Sequence, residues 1–115
     1  MSQRLPSEVL TLIAERFRAL GEPARLQILD ALRDGEKTVT DLQAETGLKQ
    51  ANLSKHLQVL YALGFVDRRK EGLNVYYRLA DDGILQLCHL MCDRLRLETD
   101  RRRAVLERLT AEGVA

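Results

Sequence analysis

The chain lacks the features of a membrane or exported protein. Its 115 residues contain no apolar run long enough to cross a bilayer and no segment resembling a signal peptide. Internal repeats and low-complexity segments are also missing. Only two cysteines are present, too few for a disulfide framework, and we expect both to be reduced thiols. These absences predict a cytoplasmic protein that does not bind a membrane.

Sequence signatures of catalysis are missing as well. There is no nucleophile elbow, no glycine-rich phosphate loop, and no histidine spaced to activate a cysteine or an aspartate. We therefore expect a protein that is not an enzyme. The length predicts one domain over 1–115, near the lower limit for a self-sufficient core, so dimerisation would supply additional burial.

Residues 38–79 carry the strongest structural signal. Thr40 is the expected N-cap of a short helix that Gly47 ends. A second helix follows and ends at Gly64, where a residue that tolerates positive φ fits at little cost. Its apolar residues recur at helical spacing: Leu53, Leu57, Leu60 and Leu63. Two helices joined by so tight a turn predict a helix-turn-helix.

A β-hairpin, which we call the wing, is predicted after the second helix. Strands open at Phe65-Val66 and at Val75, the second rich in β-branched and aromatic residues, with Glu71-Gly72 as the turn. One interpretation of the basic residues 68–70 is a solvent-exposed strand edge whose charges prevent aggregation with other strands. Their position beside the second helix favours phosphate contacts instead. The predicted fold is mainly α with a small β-hairpin, a winged helix-turn-helix.

The charge distribution identifies candidate DNA contacts. The net charge is only +1, yet residues 49–70 hold five basic residues against Asp67, while residues 22–46 hold six acidic residues against three basic ones. Amides and hydroxyls can bond base edges, and cations bind phosphate. The candidates are Lys49, Gln50, Ala51, Asn52, Ser54, Lys55, His56, Arg68, Arg69, Lys70 and Asn74. For His56, packing beside Leu57 is an equal alternative.

The flanking segments, 5–37 and 80–115, are expected to form scaffold and dimer interface. Ser7 is the expected cap of a first helix through Leu20, and Gly21-Glu22-Pro23 ends it and starts the next. That next helix should supply four core residues: Leu26, Ile28, Leu29 and Leu32.

A long last helix is expected to begin at Asp81 or Asp82, with Thr99-Asp100 as a possible interruption. Its apolar stripe is wider than one chain can hide. We therefore expect the first and last helices to pack against their symmetry mates in a homodimer.

Two cysteines, Cys88 and Cys92, lie four residues apart on this last helix and hence on one face. They are small apolar side chains on the buried stripe of the helix in the interpretation that we favour, because free cysteine is commonly buried. Alternatively, the pair could bind a soft metal or metalloid ion, or react with an oxidant or persulfide. No cofactor is required by the sequence, and the identity of any metal is left open.

The segments ALGEPARLQILDAL at 19–32, TVTDL at 38–42 and the run over 47–79 together resemble the arsenic-repressor (ArsR/SmtB) family of bacterial winged-helix repressors. The resemblance implies a homodimer that occupies double-stranded operator DNA and is released by an inducer. In the family the start of the recognition helix contacts bases, which corresponds here to Gln50, Ala51, Ser54 and Lys55. Ala51 stands where serine is usual.

The family's familiar metal sites do not carry over to this sequence. The helix before the recognition helix has no thiol at 38–42, and the last helix offers Asp82 and one histidine, His89, without a second histidine. Cys88 and Cys92 are thus the candidate sensing pair, and His89 is not an expected ligand. Two alternatives are a winged-helix regulator without thiol sensing and a protein-interaction module whose basic wing meets an acidic partner.

Overall fold

A computed structural model describes residues 3–111 of the chain. Two compact units are distinguished, one ending at Asp82 and one beginning at Gly83. The first contains α1 (Ser7–Leu20), α2 (Pro23–Ala31), a 3-10 turn (Leu32–Asp34), β1 (Lys37–Thr38), α3 (Val39–Thr46), α4 (Gln50–Ala62), β2 (Val66–Glu71) and β3 (Asn74–Leu79). The second is α5 (Gly83–Ala111).

The core of the first unit comes from the apolar faces of α2, α3 and α4, with one residue each from the 3-10 turn and β2. Its fully buried side chains are Ile28, Leu29, Leu32, Leu42, Leu53, Leu57, Leu60 and Val66. The leucines predicted from the spacing in α4 are therefore core residues, except Leu63, which is half-buried after the helix ends. Leu26 was expected in the core and is 38% exposed. At 100° per residue it lies about 160° from Ile28 and about 60° from Leu29, at the edge of the buried face of α2.

Two predicted helix caps are wrong. Pro6 occupies the N-cap of α1, and the Ser7 hydroxyl donates to Glu8 Oε1 at 3.0 Å instead of capping the helix. Thr38, not Thr40, caps α3. Its Oγ1 accepts from the Asp41 amide and Asp41 Oδ2 accepts from the Thr38 amide, each at 3.1 Å. Only Thr38 has the extended backbone that an N-cap requires, because Thr40 already lies inside the helix.

The wing is part of a three-stranded antiparallel sheet with the order β1-β3-β2. Thr38 opposes Tyr76, and Arg69 opposes Tyr76 from the other side. The hairpin turn lies at Gly72-Leu73, one residue later than predicted, with Gly72 at φ 61°. The two-residue strand β1 was not predicted, since so short a strand leaves no alternating pattern.

The helix α5 runs without interruption from Gly83 to Ala111, so Thr99-Asp100 does not break it. An ion pair between Arg102 and Glu98, at 3.3 Å, joins the turns on either side of these residues. Within residues 3–111, no helix combines the length and the apolar character that crossing a membrane requires.

Candidate nucleic-acid interface

The turn between α3 and α4 places the start of α4 only four residues after the end of α3. Gly47 adopts the left-handed conformation at φ 72°, and its amide donates to the Gln43 carbonyl at 2.9 Å. The Leu48 amide donates to Thr46 Oγ1 at 3.3 Å. The turn is stabilised by these two hydrogen bonds and by a glycine at the position with positive φ.

The helix α4 has an apolar inner face and a polar outer face at its start. Most of the predicted contact residues there are exposed: Lys49, Gln50, Ala51, Asn52 and Lys55. Ser54 is half-buried. Lys49 occupies the N-cap without a side-chain capping bond, and the first turn contains no acidic residue. The N-terminal end of α4 therefore presents amides, a lysine and the partial positive charge of the helix dipole to solvent.

His56 is connected to the scaffold. Arg25 Nε donates to His56 Nδ1 at 3.1 Å, and the same guanidinium donates from Nη1 to the Ala19 carbonyl at 3.2 Å. Because Nδ1 accepts, the ring proton of the neutral imidazole is assigned to Nε2. His56 is half-buried, which favours the packing role for it over a phosphate contact.

One face of the wing carries an ion-pair cluster centred on Arg69. Arg69 donates to both carboxylate oxygens of Glu36, from Nε at 3.0 Å and from Nη2 at 2.5 Å, and to Glu71 Oε2 from Nη1 at 2.5 Å. Its guanidinium lies 4.4 Å from the centre of the Tyr76 ring. The hydrogen bond and charge of Arg69 lower the pKa of Glu36, and the two carboxylates raise the pKa of Arg69.

The opposite face of the wing is joined to α4 through Arg68. Its guanidinium lies 4.1 Å from the centre of the Tyr61 ring in the last turn of α4. A side-chain hydrogen bond with Tyr77 raises the pKa of Arg68. Tyr77 is itself buried and opposes Arg68 across the hairpin.

Lys70 and Asn74, the other two wing candidates, are exposed near the turn. Among the described residues, no ion pair involves Lys70. Glu36 and Tyr61 were not predicted as partners of the basic residues. Arg69 and Glu36 are 33 positions apart, so no local spacing could have revealed their contact.

The two thiols lie one turn apart on α5. Cys88 is half-buried and Cys92 is exposed, and both are free. Over residues 3–111, no group of three or more His, Cys, Asp or Glu side chains is placed to hold a metal ion. The thiols of Cys88 and Cys92 are suitable ligands for a soft ion, but the remaining ligands would have to come from outside the described residues.

The helix-turn-helix, the three-stranded sheet and the exposed polar start of α4 define a winged helix-turn-helix protein. The model of the bacterial regulatory proteins of the arsR family matches residues 22–68. An uncharacterised helix-turn-helix transcriptional regulator of Mycobacterium tuberculosis is 37% identical over 103 residues, covering 89% of this chain and 90% of the relative. The chain belongs to the arsR family, whose members are transcriptional regulators and not enzymes.

Solved structures agree with this assignment. The crystal structure of that regulator superposes with a TM-score of 0.73 at 35% identity, covering 81% of this chain and 95% of the other. A Mycobacterium bovis fragment, described as a homodimeric winged helix-turn-helix DNA-binding domain, gives a TM-score of 0.73 at 31% identity, covering 88% of this chain and 95% of the other.

A biofilm growth-associated repressor of Agrobacterium fabrum is 39% identical over 77 residues, which are 67% of this chain and 66% of the relative. Three of the curated relatives are longer proteins, and the chain spans 64%, 66% and 37% of their lengths.

Proposed function

We propose that this protein is a sequence-specific DNA-binding transcriptional regulator that acts as a homodimeric repressor. The observation that carries the proposal is the exposed, uncapped and basic start of α4 in a winged helix-turn-helix. Such a helix enters the major groove with its first residues against base edges, and two copies place two helices in successive grooves. Relatives described as repressors, and one described as a homodimeric DNA-binding domain, support the same conclusion.

The proposed contacts divide by chemistry. Gln50, Asn52 and Ser54 can bond base edges, whereas Lys49 and Lys55 bind phosphate. The small side chain of Ala51 allows α4 to approach the bases closely and offers a methyl group to thymine. His56 supports the helix from behind. Lys70 and Asn74 extend the contact to the flanking backbone.

The test is a fluorescence-anisotropy titration of the protein with a duplex from its own promoter and with a scrambled duplex, at several salt concentrations. We expect tight, salt-dependent binding to the promoter duplex. Gln50→Ala should reduce discrimination between the duplexes by about tenfold to a hundredfold, the usual value of one base contact. Gln86→Ala, an exposed glutamine of α5, is the matched control and should change nothing.

Two results would contradict the proposal. Equal affinity of the wild type for both duplexes at all salt concentrations would show that its DNA binding is not sequence-specific. Absence of binding to any duplex, together with binding to acidic protein partners, would favour the interaction module.

We further propose that Cys88 and Cys92 sense the inducer, a soft metal or metalloid ion or an oxidant or persulfide. The support is their position one turn apart on α5, with one thiol accessible. A differential affinity of about 1–3 kcal/mol between the two states of the dimer would release the operator. Release by arsenite, cadmium or a persulfide donor should occur in the wild type and not in Cys88→Ser/Cys92→Ser. Equal behaviour of both proteins would leave the thiols as packing residues.

A further inference from the structure

We infer that Arg68 and Arg69 are positioning residues that hold the wing against the helix-turn-helix, and that Lys70 is the basic residue of the wing that binds phosphate. This inference rests on the proposed DNA-binding function. It differs from the expectation for a basic hairpin, in which all three residues contact the DNA backbone.

The contacts of Arg69 span the whole sheet. Side chains directly opposite in antiparallel strands share a face, so Arg69 of β2, Tyr76 of β3 and Thr38 of β1 lie on one face. The Arg69 guanidinium lies over Tyr76 of the central strand and reaches Glu36, the residue before β1. One side chain thus joins the outer strand of the wing to the segment that leads into α3.

The electrostatics of this cluster disfavour a phosphate. All three guanidinium nitrogens of Arg69 donate to carboxylates, and the Tyr76 ring covers one side of the group. Glu36, Arg69 and Glu71 together carry a net charge of −1. A phosphate approaching Arg69 would meet two carboxylates and would have to replace hydrogen bonds that are already made.

The wing needs such attachments because β1, the third strand of its sheet, is only two residues long, and a two-stranded hairpin alone is marginally stable in water. Glu36 connects the wing to α3, because β1 follows Glu36 directly and Thr38 of β1 is the N-cap of α3. The orientation of the wing is therefore fixed relative to the first helix of the helix-turn-helix.

Arg68 makes the corresponding attachment on the other face of the hairpin. Neighbouring residues of a strand point to opposite faces, and the Arg68 guanidinium lies over the Tyr61 ring of α4, 4.1 Å from its centre. Lys70 lies two residues further on the same strand and hence on the same face as Arg68. It is exposed, and no carboxylate of the described residues pairs with it. Among the three basic residues at 68–70, it is the one for which the described residues show neither a carboxylate partner nor an aromatic ring beneath the cation.

The experiment compares Glu36→Gln, Arg69→Gln and Lys70→Gln with the wild type, using Glu15→Gln, an exposed residue of α1, as the control for loss of an acidic charge. Promoter affinity is measured as a function of salt. Lys70→Gln should weaken binding and lower the salt slope by about one. Glu36→Gln removes a negative charge and should nevertheless weaken promoter binding by about threefold to tenfold, because charge-assisted hydrogen bonds to the wing are lost. The salt slope should stay unchanged.

Hydrogen exchange of the free protein provides a readout without DNA. Amides over 66–79 should exchange faster in Glu36→Gln and Arg69→Gln, and at the wild-type rate in Lys70→Gln and Glu15→Gln. The charge-swapped variant Glu36→Arg/Arg69→Glu/Glu71→Gln should recover protection and affinity relative to Arg69→Glu/Glu71→Gln, because it restores the ion pair and leaves no carboxylate at position 71 to repel the new one. If no variant binds DNA, including the wild type, the proposed function fails, and the exchange rates still decide whether Arg69 holds the wing.

Two results would overturn the inference. One is tighter binding by Glu36→Gln together with a salt slope lowered by about one in Arg69→Gln, which would make Arg69 a phosphate contact. The other is unchanged hydrogen exchange in both variants, which would show that the cluster does not order the wing.

Discussion

Glu36 allows the clearest measurement on a single residue. Hydrogen bonding to Arg69 lowers its pKa below the ordinary 4.5. A carboxyl whose pKa is lower in the folded state stabilises the fold above its unfolded-state pKa, and this contribution is lost as the pH falls through the folded-state value. Carbon-13 NMR titration should therefore show Glu36 ionising below 4.5 in the wild type and returning toward 4.5 in Arg69→Gln. An identical titration in both proteins would contradict the ion pair.

Burial of single residues could be predicted where helical spacing repeats. Leu53, Leu57 and Leu60 are fully buried as their spacing indicated, because a periodic pattern determines a face of the helix. Ionic partners were not predictable in this way. Glu36 and Arg69 meet only because β3 lies between β1 and β2, and that order is a property of the folded sheet.

The N-terminal end of α4 yields a prediction about a whole element. Lys49→Asp should add a capping carboxylate and raise the free energy of unfolding by about 1 kcal/mol. The same change should weaken promoter binding, because the new charge faces the phosphates. Urea denaturation and anisotropy measure the two effects, which have opposite signs.

Lys49→Ser is the matched variant for this prediction. It supplies a cap without a negative charge, so it should stabilise the protein and weaken binding less than Lys49→Asp does. If Lys49→Asp bound the promoter as tightly as the wild type, the start of α4 would not face the DNA backbone.

Element order was predictable from the sequence, and element ends were less so. Gly47 ended α3 as expected, because its left-handed conformation has a strong residue preference. The cap of α3 was placed two residues late because two threonines, Thr38 and Thr40, are both good caps by type. The extended backbone at Thr38 and the reciprocal bond from Asp41 decided between them.

At the scale of the whole molecule, several large apolar side chains of α1 and of α5 are exposed. Phe17 of α1 and Leu95 of α5 are each 56% exposed. A second copy of the chain is the proposed cover, consistent with the homodimeric relative. Phe17→Glu should therefore produce monomers in sedimentation equilibrium and lose tight promoter binding.

Leu73→Glu is the control for this prediction, since Leu73 is fully exposed in the hairpin turn. It should leave the association state unchanged. A wild type that is monomeric at all concentrations would contradict the proposed dimer.

The hydrogen bonds of Arg25 have a mechanical consequence. One side chain joins the last turn of α1, through the Ala19 carbonyl, to the middle of α4, through His56. If the end of α1 moves relative to α2, then either α4 moves as well or one of these two hydrogen bonds breaks. A displacement of much less than one helical turn at the proposed subunit contact would therefore shift the start of α4, where we propose that bases are contacted, because Arg25 links α1 to α4.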